Sequence, residues 1–191
     1  MIEIPLKCQC GSVQGTIRLT SHREGNHVVC FCDDCQSFAN QLSSDQNILD
    51  QWGGTRVYQV APWRVHIHKG MDQLRCLRLT RKGLYRWYTE CCRTPVGNTI
   101  SAKLPFIGLI HNFMDTGKRK DSLLGPVMGY HKLASANGDV PESIRKKGMP
   151  ATSLARVFWR LFKWKLTGRN RPNPFFGKDG KSISKPTIVN P

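Results

Sequence analysis

The chain has 191 residues, 39% of them apolar, which suits one ordinary domain with an appendage and excludes a disordered chain. Its formal charge is +16, from 29 Lys and Arg against 13 Asp and Glu; nucleic acid, an anionic membrane or acidic ligands are the partners such a charge attracts. No apolar run of about 18 residues occurs, which argues against a membrane-spanning helix.

The opening stretch, MIEIPLKCQC, lacks a basic segment followed by an apolar one. No secretory signal is expected, and the expected compartment is the reducing cytoplasm. Eight cysteines in that setting point to metal binding or thiol chemistry rather than disulfides. The next segments read as short strands: SVQGTIRL, HVVCFC, TRVYQV, WRVHIHKG, LRCLRLT and GLYRWYTECC, with one or two more within TPVGNTISAKLPFIGLIHNF. Between them, CDDCQSFANQLSS suits a short helical turn. Strands at this spacing, without strong helical periods between them, predict a mainly β domain.

From about Gly125 the texture changes. GPVMGYHKLASANGDVPESIRKKGMP reads as a linker or a loosely held helix, which divides the chain into a β domain over 1–125 and a C-terminal extension over 126–191. The spacing in TSLARVFWRLFKWKLTG predicts an amphipathic helix near 152–167, with Thr152 or Ser153 as cap and Gly168 as stop. On a helical wheel Leu154, Val157, Phe158, Leu161 and Phe162 share one face and Arg156, Arg160 and Lys163 the other. A basic, Pro-rich tail follows. From residue 142 onward, twelve basic residues face only Glu142 and Asp179.

Seven of the cysteines fall in three clusters. Cys8 and Cys10 form C-x-C before Gly11, and on a strand their side chains share a face. Cys30, Cys32 and Cys35 form C-x-C-x-x-C, and Cys91 and Cys92 are adjacent. Zinc is the natural occupant of thiolate-rich sites in a reducing compartment. Cys8, Cys10, Cys91 and Cys92 can make a closed, structural four-thiolate site. Cys30, Cys32 and Cys35 can make a three-thiolate site with one position free for a thiol or water, the form a catalytic site takes. Neighbouring side chains on an extended strand point apart, so Cys91 and Cys92 can both serve only if a turn lies there; otherwise one binds and another group completes the set. Cys76 stands alone and reads as a small core residue.

Other polar residues have plainer readings. His66 and His68 suit an exposed strand face. His111 and Asn112 suit structural hydrogen bonds or a pocket lining. Asp33 and Asp34 suit a helix start. Arg93 is free to pair with an anionic substrate or a nearby carboxylate.

The segments CQCGSVQG, CFCDDCQSF, ECCRTPVGN and LPFIGLIHNF, in that order over about residues 6–115, resemble the glutathione-dependent formaldehyde-activating enzyme (GFA) family, whose domain centromere protein V also carries. The resemblance implies an Mss4-like, or β-tent, zinc-binding fold with two zinc sites. It implies structural ligands at Cys8, Cys10 and Cys92 and a catalytic set at Cys30, Cys32 and Cys35. The third cluster departs from the family's C-x-x-C-G-T: Thr89 stands in a ligand position, and Cys91 is the substitute. The implied activity is carbon–sulfur lyase chemistry on a thiol adduct such as S-hydroxymethylglutathione. The competing expectation is a non-catalytic, zinc-stabilised binding module whose basic C-terminal region contacts nucleic acid or a membrane surface.

Overall fold

The computed structural model describes residues 1–42, 46–117 and 120–189. Two sheets form. The smaller contains β1 (Ile2–Lys7), β2 (Gln14–Leu19) and β5 (Val65–Lys69), in that order and antiparallel. The larger has eight strands. They are β3 (Asn26–Cys30), β4 (Thr55–Val60), β6 (Leu74–Arg78), β7 (Tyr85–Thr89), β8 (Pro95–Thr99), β9 (Ile107–Ile110), β10 (Gly129–His131) and β11 (Thr187–Ile188). Their order is β10-β3-β4-β9-β8-β7-β6-β11, and only the two outermost strands, β10 and β11, pair in parallel. Neither sheet closes into a barrel. This is the mainly β architecture expected.

β1 alternates cleanly, with Ile4 and Leu6 buried and Glu3 paired across to Arg18. The sheets share one core, in which Ile4, Leu6, Ile17 and Leu19 meet Tyr58, Trp87, Leu109 and Phe113. Leu6 bridges to Met114, and the Asp115 amide donates to the Pro5 carbonyl at 2.9 Å, joining β1 to the chain after β9. Gly25 passes over the Tyr58 ring, where an added Cβ would lie 2.2 Å from Cζ.

Among the described residues four α-helices punctuate the strands: α1 (Asp33–Leu42), α2 (Lys120–Leu124), α3 (Glu142–Lys147) and α4 (Ala151–Leu166). α1 is three turns long, more than the short turn expected. Phe38, Ala39 and Leu42 pack with Leu77, Leu79 and Ile110 as a second core. Asp33 and Asp34 occupy its first turn, where carboxylates suit the helix dipole.

The stretch read as a linker or a loosely held helix holds α3 and also β10, which forms because Tyr130 and its neighbours complete the open edge of β3. The tail also turns back. Phe175 and Phe176 are buried; Phe175 stacks on Trp87 at 4.8 Å between centroids, and Phe176 meets the same ring edge-on at 5.9 Å. The Trp87 indole N–H donates to Thr99 Oγ1 at 2.9 Å, so the ring's polar end is satisfied.

α4 matches the expected helix in position, but its apolar face does not pack as one side. Val157, Arg160, Leu161 and Trp164 lie half-buried against the sheets, while Phe158 and Phe162 are exposed. Arg160 reaches the domain rather than solvent: its guanidinium donates to the Gly25 carbonyl at 2.7 Å, to Asn26 Oδ1 and to the Arg23 carbonyl. Three acceptors at the start of β3 outcompete the hydrophobic face for the docking side. Neither Thr152 nor Ser153 caps the helix; Pro150 precedes it, and Ser153 Oγ instead donates to the Met128 carbonyl at 3.1 Å.

Phe175→Ala, followed by urea unfolding, is expected to cost about 3–5 kcal/mol, the range for emptying a large aromatic site. A change within about 0.5 kcal/mol would mean that the tail does not belong to the core.

Candidate metal centres

The first thiol group assembles at two turns. β1 ends at Lys7, and the chain turns over Cys8–Gly11, where the Gly11 amide donates to the Cys8 carbonyl at 2.9 Å. Gly11 adopts φ 78°, a left-handed conformation that favours glycine. Cys8 and Cys10 therefore lie in a turn, not on a strand, and the turn swings both sulfurs to one side. The second turn, Glu90–Cys92 after β7, is closed by Arg93 at φ 54° and by the Thr89 amide donating to the Thr94 carbonyl.

Together the turns bring Cys8, Cys10, Cys91 and Cys92 into one group, with all four sulfurs within 4.8 Å of one another. Individual Sγ–Sγ separations are 3.6 Å for Cys8–Cys10, 3.9 Å for Cys8–Cys91, 3.3 Å for Cys10–Cys91 and 3.8 Å for Cys91–Cys92. A tetrahedral metal with bonds of about 2.3 Å to sulfur spaces its ligands by about 3.8 Å. The donor set fits such an ion, and the turn admits both neighbouring cysteines. Thr89 does not enter the set: its hydroxyl accepts from the Thr94 amide at 3.1 Å and contacts Cys92 Sγ at 3.4 Å.

The protons that remain on a crowded thiol group are unequally held. Burial pushes Cys8 up. Burial also raises Cys91, with help from the Cys10 thiol, to about 12. For Cys92 burial acts upward, but hydrogen bonds from the Thr89 and Thr94 hydroxyls outweigh it and bring the thiol to about 6.

The second group sits where β3 runs into α1. Cys30, the last residue of β3, Cys32 in the connection and Cys35 in the first turn of α1 place three sulfurs within 4.8 Å of one another. Cys30 and Cys32 are 3.3 Å apart. Hydrogen bonds from Cys30 and Cys35 pull the Cys32 thiol down to about 2, and the shared proton pushes Cys30 up. This group also fits a metal ion, with three donors in place of four.

Two residues the sequence reading did not single out complete its surroundings. His131, opposite Cys30 in the β10–β3 register, brings Nδ1 to 3.7 Å from Cys30 Sγ. Arg86 of β7 is 1% exposed; its guanidinium donates to Asp34 Oδ2 at 3.2 Å and to Asn98 Oδ1 at 3.3 Å. Its charge favours the thiolate form of Cys32 and Cys35. His131 lies in a segment without strand pattern, and nothing local sets Arg86 apart within GLYRWYTECC.

The three thiols open onto a cavity of about 320 Å³. Arg86, Asn98 and His131 line it beside apolar Val28, Val57 and Phe106, and Leu154 and Val157 of α4 form one wall. A larger cavity of about 540 Å³ lies between α4 and the start of β3, lined by His22, Arg23, His27, Arg156 and Arg160, and it contains no thiol.

The remaining candidates lie elsewhere. Cys76 is buried in the main core. His66 and His68 are on β5 and join no metal-capable group among the described residues. Asn112 donates to the Gln46 carbonyl. Arg93, read as pairing with an anionic substrate or a nearby carboxylate, donates to the carbonyls of Leu42 and Gln41 at 3.0 and 2.8 Å. It caps the C-terminal end of α1, where exposed carbonyls welcome a cation.

Comparison with known proteins gives a family match and a distant structural likeness. Residues 2–186 match DUF6151, described as a family of unknown function. No curated protein matches the chain. A crystal structure of a Rhodobacter sphaeroides protein, a structural-genomics target, aligns with 64% of this chain and 96% of its own at 13% identity and a TM-score of 0.43.

Chelation under reducing conditions is expected to lower the melting temperature by about 10 °C or more, because a metal joining turns 83 residues apart contributes directly to folding. Cys91→Ser is expected to start lower and to respond less to chelator. Identical melting curves with and without chelator would mean that neither group holds metal in solution.

Proposed function

The chain belongs to the DUF6151 family, and from that premise and its two thiol groups we propose a zinc protein with one structural and one reactive site. Cys8, Cys10, Cys91 and Cys92 hold the structural ion. Cys30, Cys32 and Cys35 would hold the reactive one, which would bind and activate a thiol. The chemistry is of the GFA kind: carbon–sulfur bond formation and cleavage between a thiol and a small aldehyde, as in S-hydroxymethylglutathione. The observation that carries this reading is that all three sulfurs of the three-donor group open onto the cavity lined by Arg86 and His131, whereas the four-donor group reaches a cavity of about 360 Å³ through Cys8 alone.

When bound, zinc lowers the pKa of a coordinated thiol and so supplies a thiolate at neutral pH. The chain's own residues do the rest. Cys30, Cys32 and Cys35 present three sulfurs from one strand–helix junction. The Arg86 guanidinium stabilises negative charge on that side of the cavity and is itself held by Asp34 and Asn98. Val28, Val57 and Phe106 give the space beside the sulfurs apolar walls, and a lower local dielectric strengthens each electrostatic interaction within it. In the forward direction the thiol sulfur bonds to the carbonyl carbon, and the thiol proton ends on the carbonyl oxygen. His131, at the cluster's edge, is the proton carrier in this scheme. The reverse reaction breaks the same carbon–sulfur bond and returns the proton to sulfur.

The second reading, a zinc-stabilised binding module, draws on the exposed basic residues of the C-terminal region. It gives the cavity beside the cysteines no task.

Metal analysis separates the two. Protein purified under reducing conditions is expected to hold about two zinc ions, and Cys30→Ser/Cys32→Ser about one, with the fold retained. The same variant, and Arg86→Met more weakly, are expected to lose turnover of thiol–aldehyde adducts. One zinc in both proteins would remove the reactive site; two zincs without turnover of any adduct would favour the binding module.

A further inference from the structure

α4 turns its most apolar side chains outward. Leu154, Phe158, Trp159, Phe162 and Leu166 are 44%, 63%, 66%, 53% and 71% exposed. They form a continuous stripe, since residues three and four apart stack on one side of a helix, and the Trp159 and Phe162 rings lie 5.9 Å apart. The helix cannot roll to hide them. Its inner side is fixed by Arg160 on the carbonyls of Gly25 and Arg23 and by Ser153 on the Met128 carbonyl. Beyond its C-terminal end, Arg169 lies over the Trp63 ring, with its guanidinium carbon 4.1 Å from the centroid.

We propose that this stripe is a membrane-docking surface, and that α4 lies in the plane of an anionic lipid interface with the domain on its far side. Three observations choose this occupant. The stripe is bordered by exposed Arg156 and Lys163, and Lys165 lies within it near the C-terminal end. Long basic side chains beside aromatic ones suit a headgroup layer, with rings at the acyl boundary and charges on phosphate. Next, no Asp or Glu occurs between Ala151 and Gly168, so pairing the stripe with that of a second copy would set cation against cation. Last, no helix among the described residues is long and apolar enough to cross a bilayer, so the helix rests on the surface. A phosphate backbone such as DNA would satisfy Arg156, Lys163 and Lys165 but leave Phe158, Phe162 and Leu166 in water. The inference is independent of the zinc chemistry, although Leu154 borders both the stripe and the thiol-lined cavity.

Co-sedimentation of the full chain with phosphatidylcholine vesicles containing about 30 mol% phosphatidylserine tests it. The wild type is expected to pellet with these vesicles and not with pure phosphatidylcholine, and to be released by about 0.5 M salt. Phe158→Glu and Lys163→Glu are each expected to weaken binding about tenfold or more. Both side chains are exposed, so circular dichroism is expected to stay unchanged and to show that the loss is not unfolding. Wild-type protein left in the supernatant, whether as monomer, as a dimer that Phe158→Glu splits or as a nucleic-acid complex, would overturn the proposal. So would equal binding by wild type and Phe158→Glu, or equal binding to neutral vesicles.

Discussion

Arg86 carries a full positive charge into the sheet, and the arrangement around the three-thiol group follows from how that charge is met. A buried cation without partners is too costly to keep. Asp34 and Asn98 supply the partners, one from the first turn of α1 and one from β8. Meeting the charge therefore pins the start of α1 against β7 and β8. That turn carries Cys35 and follows Cys32, so the same contact brings their sulfurs to Cys30 at the mouth of the cavity. The guanidinium then acts a second time, as a cation whose charge favours the thiolates of Cys32 and Cys35. One residue thus links packing, the direction of a helix and the reactivity of a site.

The two thiol groups are built differently, and the difference matches the two tasks assigned to them. One joins two turns, ties residue 8 to residue 91 and uses four donors. Closed sets of that kind act as staples, and their ligands lie in tight turns because the metal must be surrounded. The other takes three donors from one short strand–helix junction and opens onto a cavity. Its rigidity comes from the sheet beneath it, through β3 paired to β4 on one side and β10 on the other.

Much of this was legible in the residues. Strands over TRVYQV and LRCLRLT, and one or two within TPVGNTISAKLPFIGLIHNF, could be read because alternation and β-branching are local properties. The cysteine groups could be read because ligand spacing is local within each cluster, and pairing of the first and third clusters follows from counting to four. What stayed hidden was long-range. Arg86 is distinguished by partners on other elements, Asp34, 52 residues away, and Asn98. β10 exists because β3 has an open edge, not because GYH favours a strand. Phe175 and Phe176 sit in a Pro-rich tail that reads as loose, yet Trp87 gives them a place to pack. The facing of α4 followed the same logic: a helical wheel ranks sides by hydrophobicity, whereas three carbonyl and amide oxygens near the start of β3 draw Arg160 inward.

Zinc K-edge absorption on the protein purified under reducing conditions measures the first coordination shell at both sites together. One closed four-sulfur site and one three-sulfur site with an exchangeable position give a sulfur-dominated shell at about 2.3 Å with a minor nitrogen or oxygen contribution. Adding a small thiol is expected to replace that minor contribution with sulfur. A shell dominated by nitrogen or oxygen, or one that no thiol changes, would contradict an open thiolate site at Cys30, Cys32 and Cys35.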